Sequence, residues 1–174
     1  PLATVQLKVV DDAGGECPTG EAGEILVKAL QCMSGYWQQP EATAATLVDG
    51  WLHTGDIGRF DARGYLSIVD RKKDMIVSGG ENVASREVEE VLRSHPAVRD
   101  CAVIGLPHPY WGEQVAAVVV LETEASDAEL AAHCRSLLAG YKTPKGWRRV
   151  RALPLNAAGK VDKPVLRAEA AQLL

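Results

Sequence analysis

The chain has 174 residues, enough for one substantial hydrophobic core or two small ones. Its 19 basic and 23 acidic residues give a formal net charge of −4 at pH 7, which argues against a surface built to bind nucleic acid. The longest strongly apolar run, residues 115–121, is too short to cross a bilayer, and no cationic leader opens the chain. We therefore expect a soluble, cytoplasmic protein without a transmembrane segment.

The cysteines are widely scattered, with no C-x-x-C pair and no paired histidine spacing: Cys17, Cys32, Cys101 and Cys134. This spacing predicts neither a zinc site nor a disulfide framework, so we expect reduced thiols and no metal ligands. The first residue is proline rather than methionine, which suggests that the chain is a fragment.

The first part of the chain reads as strands joined by turns. Alternating apolar and polar residues predict a strand over 5–9, and 24–29 follows as a second strand after a turn-rich segment. A proline near its start favours a short helix over 40–47, and 65–69 is a further strand. Between them, Thr54-Gly55-Asp56 is by spacing alone a β-turn whose aspartate bonds its own backbone.

A charged link and a glycine corner come next. Residues 70–74 are all charged and predict an exposed segment, and the short apolar run 75–77 leads into Ser78-Gly79-Gly80. Two adjacent glycines permit backbone conformations or close approaches that other residues resist. By spacing alone, these residues form a solvated interdomain turn and a hairpin corner.

The remaining residues alternate between helix and strand patterns. A helix begins at Ser85, with acids early and basic residues late, and Pro96 stops it. Two strands follow over 98–106 and 114–122, the second rich enough in valine to be buried on both faces. A capping-box pattern at 126–129 opens another helix, and a last strand spans 147–152. This order predicts a compact α+β domain of about 100 residues.

The run DRKKDMIVSGGENVASREVE, residues 70–89, resembles the linker and glycine loop of the adenylate-forming superfamily, specifically the acyl-CoA synthetases. A match of this length is far more specific than a lone glycine motif. The resemblance implies that residues 1–70 are the β-rich tail of a large N-terminal adenylation domain, 71–74 a hinge linker and 75–174 a mobile C-terminal domain. It also implies that the rest of the N-terminal domain is missing and that the fragment alone is inactive.

The resemblance assigns roles toward the nucleotide. Asp56 would accept hydrogen bonds from both ribose hydroxyls of ATP, a task that suits the two oxygens of a carboxylate. Arg71 would help to hold the ribose or a phosphate; alternatively, it is a solvated linker charge. Lys73 stands at the hinge position, whose backbone torsions change when the C-terminal domain rotates.

The resemblance also assigns roles toward CoA, with Ser78, Gly79, Gly80 and Glu81 lining the thiol channel. Trp111, in the Pro-rich loop 107–113, would contact the pantetheine, although an aromatic residue in such a loop can equally cover the core. Lys145 and its basic neighbours would meet the CoA phosphates. Thr143 stands where relatives often carry a basic residue, which leaves that particular contact open.

Residues 154–163 resemble the closing Pro-x-x-x-x-Gly-Lys motif of the family. Its lysine, here Lys160, would reach the reacting phosphate during adenylation as the catalytic residue; a lysine after a glycine is otherwise usually just solvated. Gly159 leaves the loop thin enough to enter a cleft, and lysine offers a long stem that ends in a point charge.

The implied reaction activates a carboxylic acid with Mg-ATP and transfers the acyl group to CoA, with the metal ligand in the missing domain. A fatty acid is the favoured substrate, and aromatic acids stay open. Three alternatives remain: an adenylation domain of a peptide synthetase, which shares Gly-Lys-Val-Asp but carries a different glycine and arginine pattern; a luciferase-like monooxygenase; and a non-catalytic module that binds nucleotide or CoA.

Overall fold

The computed structural model describes residues 4–171 and divides the chain into two compact units, Pro1–Lys73 and Asp74–Leu174. The first unit contains β1 (Val5–Val10), β2 (Gly23–Ala29), α1 (Pro40–Thr46), β3 (Leu47–Val48), β4 (Trp51–Phe60) and β5 (Leu66–Arg71). A 3-10 turn, Lys72–Asp74, follows. No described helix is long and apolar enough to span a membrane.

The first unit is an antiparallel sheet in the order β1-β2-β4-β3, with β5 also paired to β4. Strand β4 pairs with β2 through residues 52–53 and again through residues 57–58. The register shifts between Glu24 and Leu26, so that residues 54–56 bulge out opposite Ile25. The β-turn interpretation of residues 54–56 is therefore wrong. These residues lie within a strand because β5 pairs with β4 at Asp56 and beyond.

The second unit contains β6 (Ile76–Ser78), β7 (Glu81–Val83), α2 (Ser85–Arg93), β8 (Val98–His108), β9 (Gly112–Leu121), α3 (Asp127–Leu137), β10 (Gly146–Arg149) and α4 (Lys163–Ala171). A second 3-10 turn, Gly140–Lys142, precedes β10. Strand β9 is the centre of the sheet: β8 pairs with it antiparallel, β10 runs parallel to it, and the β6–β7 hairpin joins its beginning.

Strand β9 is buried on both faces, as its valine-rich pattern predicted, and β8 is buried on both faces as well. Alternate side chains point to opposite sides of the sheet: one set, including Val103 and Val119, packs with α2 and α3. The other set, including Ile104 and Val118, packs with Leu166 of α4. The α+β class is confirmed, and the hairpin corner predicted at residues 78–80 joins β6 to β7. The prediction that all of 70–74 is exposed is wrong at Asp70, which is buried because β5 extends to Arg71. Strand β10 ends at Arg149 rather than residue 152.

Candidate functional site

Asp56 and Arg71 lie side by side on neighbouring strands. They are directly opposed in the register of β4 and β5, and Arg71 Nε lies 2.7 Å from Asp56 Oδ1. Both side chains keep contact with solvent, with 53% of the arginine and 27% of the aspartate side chain exposed. The structure thus brings the two predicted nucleotide residues together as a surface carboxylate and guanidinium, a pair suited to hydroxyl and phosphate groups respectively.

The bulge that presents Asp56 is fixed from below by Glu24, a residue that sequence reasoning missed. Glu24 is buried in β2, and its carboxylate accepts hydrogen bonds from Gly55 N at 3.2 Å and from Lys72 Nζ at 3.0 Å, with His53 Nδ1 at 3.3 Å. Burial by itself raises the pKa of Glu24, but the bonds from Lys72, His53 and Gly55 together hold that pKa below its ordinary value. The carboxylate is therefore charged at neutral pH. The sequence feature that could have pointed to Glu24 is a glutamate next to the apolar residues of a predicted strand.

Thr54 completes the bulge with local hydrogen bonds. Its hydroxyl donates to Ile25 O at 2.8 Å and accepts from Asp56 N at 3.1 Å. Gly55 adopts a φ of +68°, in the left-handed region that favours glycine. Thr54, Gly55 and Asp56 therefore follow one another because the Thr54 hydroxyl and the Gly55 backbone form the bulge that presents the Asp56 carboxylate.

The two adjacent glycines form the two-residue turn of the β6–β7 hairpin. Gly79 and Gly80 have φ values of +61° and +85°, and the flanking Ser78 and Glu81 face each other. Positive φ at both central residues matches the right-handed twist of a hairpin and explains the glycine pair. Ser78 is buried in β6 and Glu81 is exposed.

Gly79 also lies against Trp111. Its N–H donates to Trp111 O at 2.8 Å, and a Cβ placed on Gly79 would lie 3.0 Å from ring atom Cε3. Lys145 Nζ lies 4.2 Å from a ring centroid of the same indole, and the Tyr110 and Trp111 rings pack edge-on with their centroids 4.6 Å apart. Three of the predicted CoA residues, Gly79, Trp111 and Lys145, thus form one surface cluster, which we call the indole cluster.

Lys142, a basic neighbour of Lys145, is occupied elsewhere. Its Nζ donates to both carboxylate oxygens of Glu87 in α2, each at 2.7 Å. Thr143 is buried, and its hydroxyl has no hydrogen-bond partner among the described residues. Lys145 is therefore the basic residue of this segment that meets the indole cluster.

Lys160 is exposed on a loop whose backbone is tightly held. Asn156 Oδ1 accepts from Ala158 N at 2.9 Å and from Lys160 N at 3.1 Å, while Asn156 N donates to Lys160 O at 2.8 Å. Gly159 takes a φ of +73°. No ion pair among residues 4–171 includes Lys160, so its ammonium is presented to solvent from a fixed backbone.

Lys73 lies in the 3-10 turn at the division between the two units. Residues 4–171 contain no group of three or more His, Cys, Asp or Glu side chains arranged to hold a metal ion.

The chain is similar to proteins of a known family. Residues 87–160 match the model of the AMP-binding enzyme C-terminal domain. The chain is 46% identical to a feruloyl-CoA synthase of Amycolatopsis sp. over 96% of this chain and 34% of that protein. It is also 46% identical to a long-chain-fatty-acid–CoA ligase of Salmonella typhimurium, over 98% of this chain and 30% of that protein.

Two solved structures show the same fold. ATP-bound MatB from Rhodopseudomonas palustris superimposes with a TM-score of 0.91 at 39% identity, over 99% of this chain and 35% of that one. The amide bond synthetase McbA from Marinactinospora thermotolerans superimposes with a TM-score of 0.90 at 43% identity, over 98% of this chain and 35% of that one. The chain spans about a third of the length of the curated relatives it matches.

Proposed function

We infer from the membership of this chain in the adenylate-forming superfamily, to which it belongs through its AMP-binding enzyme C-terminal domain, that the full-length protein is an AMP-forming acyl-CoA ligase. The chain would be its C-terminal third, working in the cytoplasm where ATP and CoA are available. The observation that carries the proposal is the exposed Lys160 on a loop held by Asn156.

In the first half-reaction, an oxygen of the substrate carboxylate attacks the α-phosphorus of ATP, and the bond to the β-phosphate breaks to release pyrophosphate. Negative charge builds up on the phosphate oxygens as the new bond forms, so an ammonium placed there stabilises the transition state more than the ground state. We assign this role to Lys160. Asp56 would accept from the ribose hydroxyls, and Arg71 would orient that carboxylate and hold a phosphate.

In the second half-reaction, the CoA sulfur attacks the acyl carbon, the bond to AMP breaks and AMP leaves. We assign the indole cluster to the pantetheine and phosphates of CoA, because an exposed indole supplies apolar surface and Lys145 supplies positive charge beside it. Ser78, Gly79, Gly80 and Glu81 would line the path of the thiol. We further propose that the second unit rotates about Lys73 between the half-reactions, so that a proline at this position would slow the exchange.

The acid is proposed to be a fatty acid, with an aromatic acid as the alternative. The relatives named for a long-chain fatty acid and for ferulate match equally well, at 46% identity each. ATP is expected to bring Mg²⁺, whose protein ligands we place outside the described residues.

An amine is a second candidate acceptor for the activated acyl group, since the chain matches an amide bond synthetase at 43% identity with a TM-score of 0.90. Supplying acyl-AMP to the full-length protein with CoA or with an amine, each in turn, would distinguish the two acceptors. We expect AMP release with CoA only.

The test of the proposed function is ATP–pyrophosphate exchange by the full-length protein across saturated fatty acids, ferulate and benzoate. We expect exchange with one acid class. Lys160→Ala should lower it by about a hundred- to a thousandfold, equivalent to roughly 3 to 4 kcal/mol, while thioester formation from supplied acyl-AMP stays nearly unchanged. Absence of exchange with every acid would contradict acid activation, and equal losses in both half-reactions would contradict the role of Lys160.

A further inference from the structure

A second lysine of the closing motif, Lys163, is largely shielded from solvent. It is the first residue of α4, and its Nζ donates to Ser85 Oγ at 2.6 Å and lies 2.8 Å from Glu89 Oε1. Only 12% of the Lys163 side chain and 10% of the Glu89 side chain are exposed, and Ser85 is fully buried. Lysine is almost never buried unless it is paired, so this contact has a defined partner and a defined geometry.

Glu89 ties Lys163 to the core of the second unit. The same oxygen, Oε1, accepts a hydrogen bond from Val103 N of the buried strand β8 at 2.9 Å. Arg93 Nη2 lies 3.6 Å from the other oxygen. Glu89 therefore connects α2, β8 and the beginning of α4, three elements that pack around one sheet.

Lys163 is also attached to the loop that carries Lys160. An isolated antiparallel bridge joins Leu155 to Val161 and closes the base of that loop. Asp162 N donates to Pro154 O at 2.8 Å, and the Asp162 carboxylate accepts from Val165 N at 3.2 Å at the start of α4. The base of the loop and the first turn of α4 thus form one bonded segment, with Lys163 inserted from it into the core.

The loop itself is exposed from residue 155 to residue 160, so little packing fixes its direction. Lys163, three positions after Lys160, can fix the direction of the loop through its contacts with Ser85 and Glu89. Reacting groups must be held closely, because a displacement of about 1 Å can cost on the order of a hundredfold in rate.

We propose that Lys163 is a positioning residue for Lys160: the buried contact of Lys163 with Glu89 and Ser85 sets the direction in which the Lys160 loop leaves the domain. The inference rests on the proposed function, since it assigns Lys163 a part in adenylation. In this assignment Lys163 acts through the Lys160 loop and not on the substrate or the nucleotide.

The experiment compares three variants of the full-length protein: Lys163→Met, Lys163→Arg, and Lys163→Met combined with Glu89→Gln. Each is assayed for ATP–pyrophosphate exchange, for thioester formation from supplied acyl-AMP and for its thermal unfolding midpoint. We expect Lys163→Met to lower kcat of the exchange about tenfold or more with thioester formation unchanged. Lys163→Arg should restore part of the exchange, because it keeps the charge near Glu89.

The double variant separates positioning from stability. Lys163→Met alone leaves the buried Glu89 carboxylate with Arg93, 3.6 Å away, as its ionic partner, which destabilises the domain. The double variant removes the charges of Lys163 and Glu89 together. We expect the double variant to regain the unfolding midpoint but not the exchange rate. If Lys163→Met fails to fold, the exchange rate of the double variant tests the inference instead.

Two results would overturn the inference alone: full exchange in Lys163→Met while Lys160→Ala has lost it, or recovery of exchange together with stability in the double variant. A wild-type protein without exchange, or exchange that survives Lys160→Ala, would instead overturn the proposed function and this inference with it.

Discussion

The glycine pair allows a matched test of the indole cluster. Gly79 and Gly80 are neighbours in one turn, both with positive φ, so alanine at either position meets the same kind of backbone strain. The difference lies in the space around them. A Cβ on Gly79 would lie 3.0 Å from Trp111 Cε3 and 3.3 Å from Cζ3, whereas a Cβ on Gly80 has no atom within 4 Å.

The magnitudes follow from these contacts. Each alanine should cost about 1 to 2 kcal/mol for the left-handed backbone, and for a unit of this size each 1 kcal/mol lowers the melting temperature by about 4 to 8 °C. With Gly79→Ala, the partly exposed indole must also move by a few tenths of an ångström. This shift changes the surface proposed to hold CoA, so we expect an additional loss of about tenfold in thioester formation.

The assay measures thioester formation from supplied acyl-AMP over a range of CoA concentrations, with ATP–pyrophosphate exchange in parallel. Gly79→Ala should be impaired in the thioester step and Gly80→Ala much less, while both variants keep similar exchange rates and similar unfolding midpoints. If Gly79→Ala forms the thioester at the wild-type rate, the contact of Gly79 with Trp111 has no part in holding CoA, and our assignment of the indole cluster is refuted. Equal losses in both variants would instead place the effect in the thiol path that both glycines are proposed to line.

Three further predictions concern stability and reactivity. The bonds from Lys72, His53 and Gly55 hold the folded pKa of Glu24 below its ordinary value, so the stability from its ionised form is present above that ordinary pKa and is lost as the pH falls through the folded one. At acid pH, the unfolding free energy of Glu24→Gln should therefore fall less steeply with decreasing pH than that of the wild-type chain. Equal slopes for the two proteins would contradict this. Burial raises the pKa of Cys101 to about 12 and of Cys134 to about 11. Neither thiol should react with a disulfide reagent near neutral pH until the chain unfolds, whereas the more accessible Cys17 and Cys32 can react earlier. Rapid labelling of Cys101 or Cys134 in the native chain, located by peptide mapping, would contradict this. Leu166→Ala, at a fully buried position, should cost about 2 to 5 kcal/mol in denaturant unfolding, against roughly 0.5 kcal/mol for Val165→Ala, which is 39% exposed; equal costs would mean that α4 does not cover the sheet.

Features that depend on neighbouring residues alone can be predicted from the sequence. The capping box predicted at Ser126 is present in full: Ser126 Oγ accepts from Glu129 N, and Glu129 Oε2 accepts from Ser126 N at 2.7 Å. The hydrogen bonds from Ser126 also hold the pKa of Glu129 below its usual value. Every atom of this motif lies within four residues, so spacing alone was sufficient to predict it.

Strand β7 shows where local patterns end. Residues 81–83 are too few and too polar to have a visible period, and they become a strand because Gly79 and Gly80 turn the chain back against β6. Likewise, Thr54 to Asp56 have the composition of a turn but bulge from a strand, because β2 and β5 pair on either side of β4. In both cases pairing with distant residues overrides composition.

The sequence by itself determined the α+β class, the order of helices and strands after residue 84, the double burial of β9 and the family to which the chain belongs. These follow from periodicity and from continuous strings of residues. Only the tertiary structure decided that Asp56 faces Arg71 and that Gly79 and Lys145 meet at Trp111. It also decided that Glu24 is a buried charge beneath the β4 bulge and that Lys163 is a largely shielded charge next to the Lys160 loop. Such contacts join residues far apart in the chain, and a buried charge is recognisable only once its partner is known.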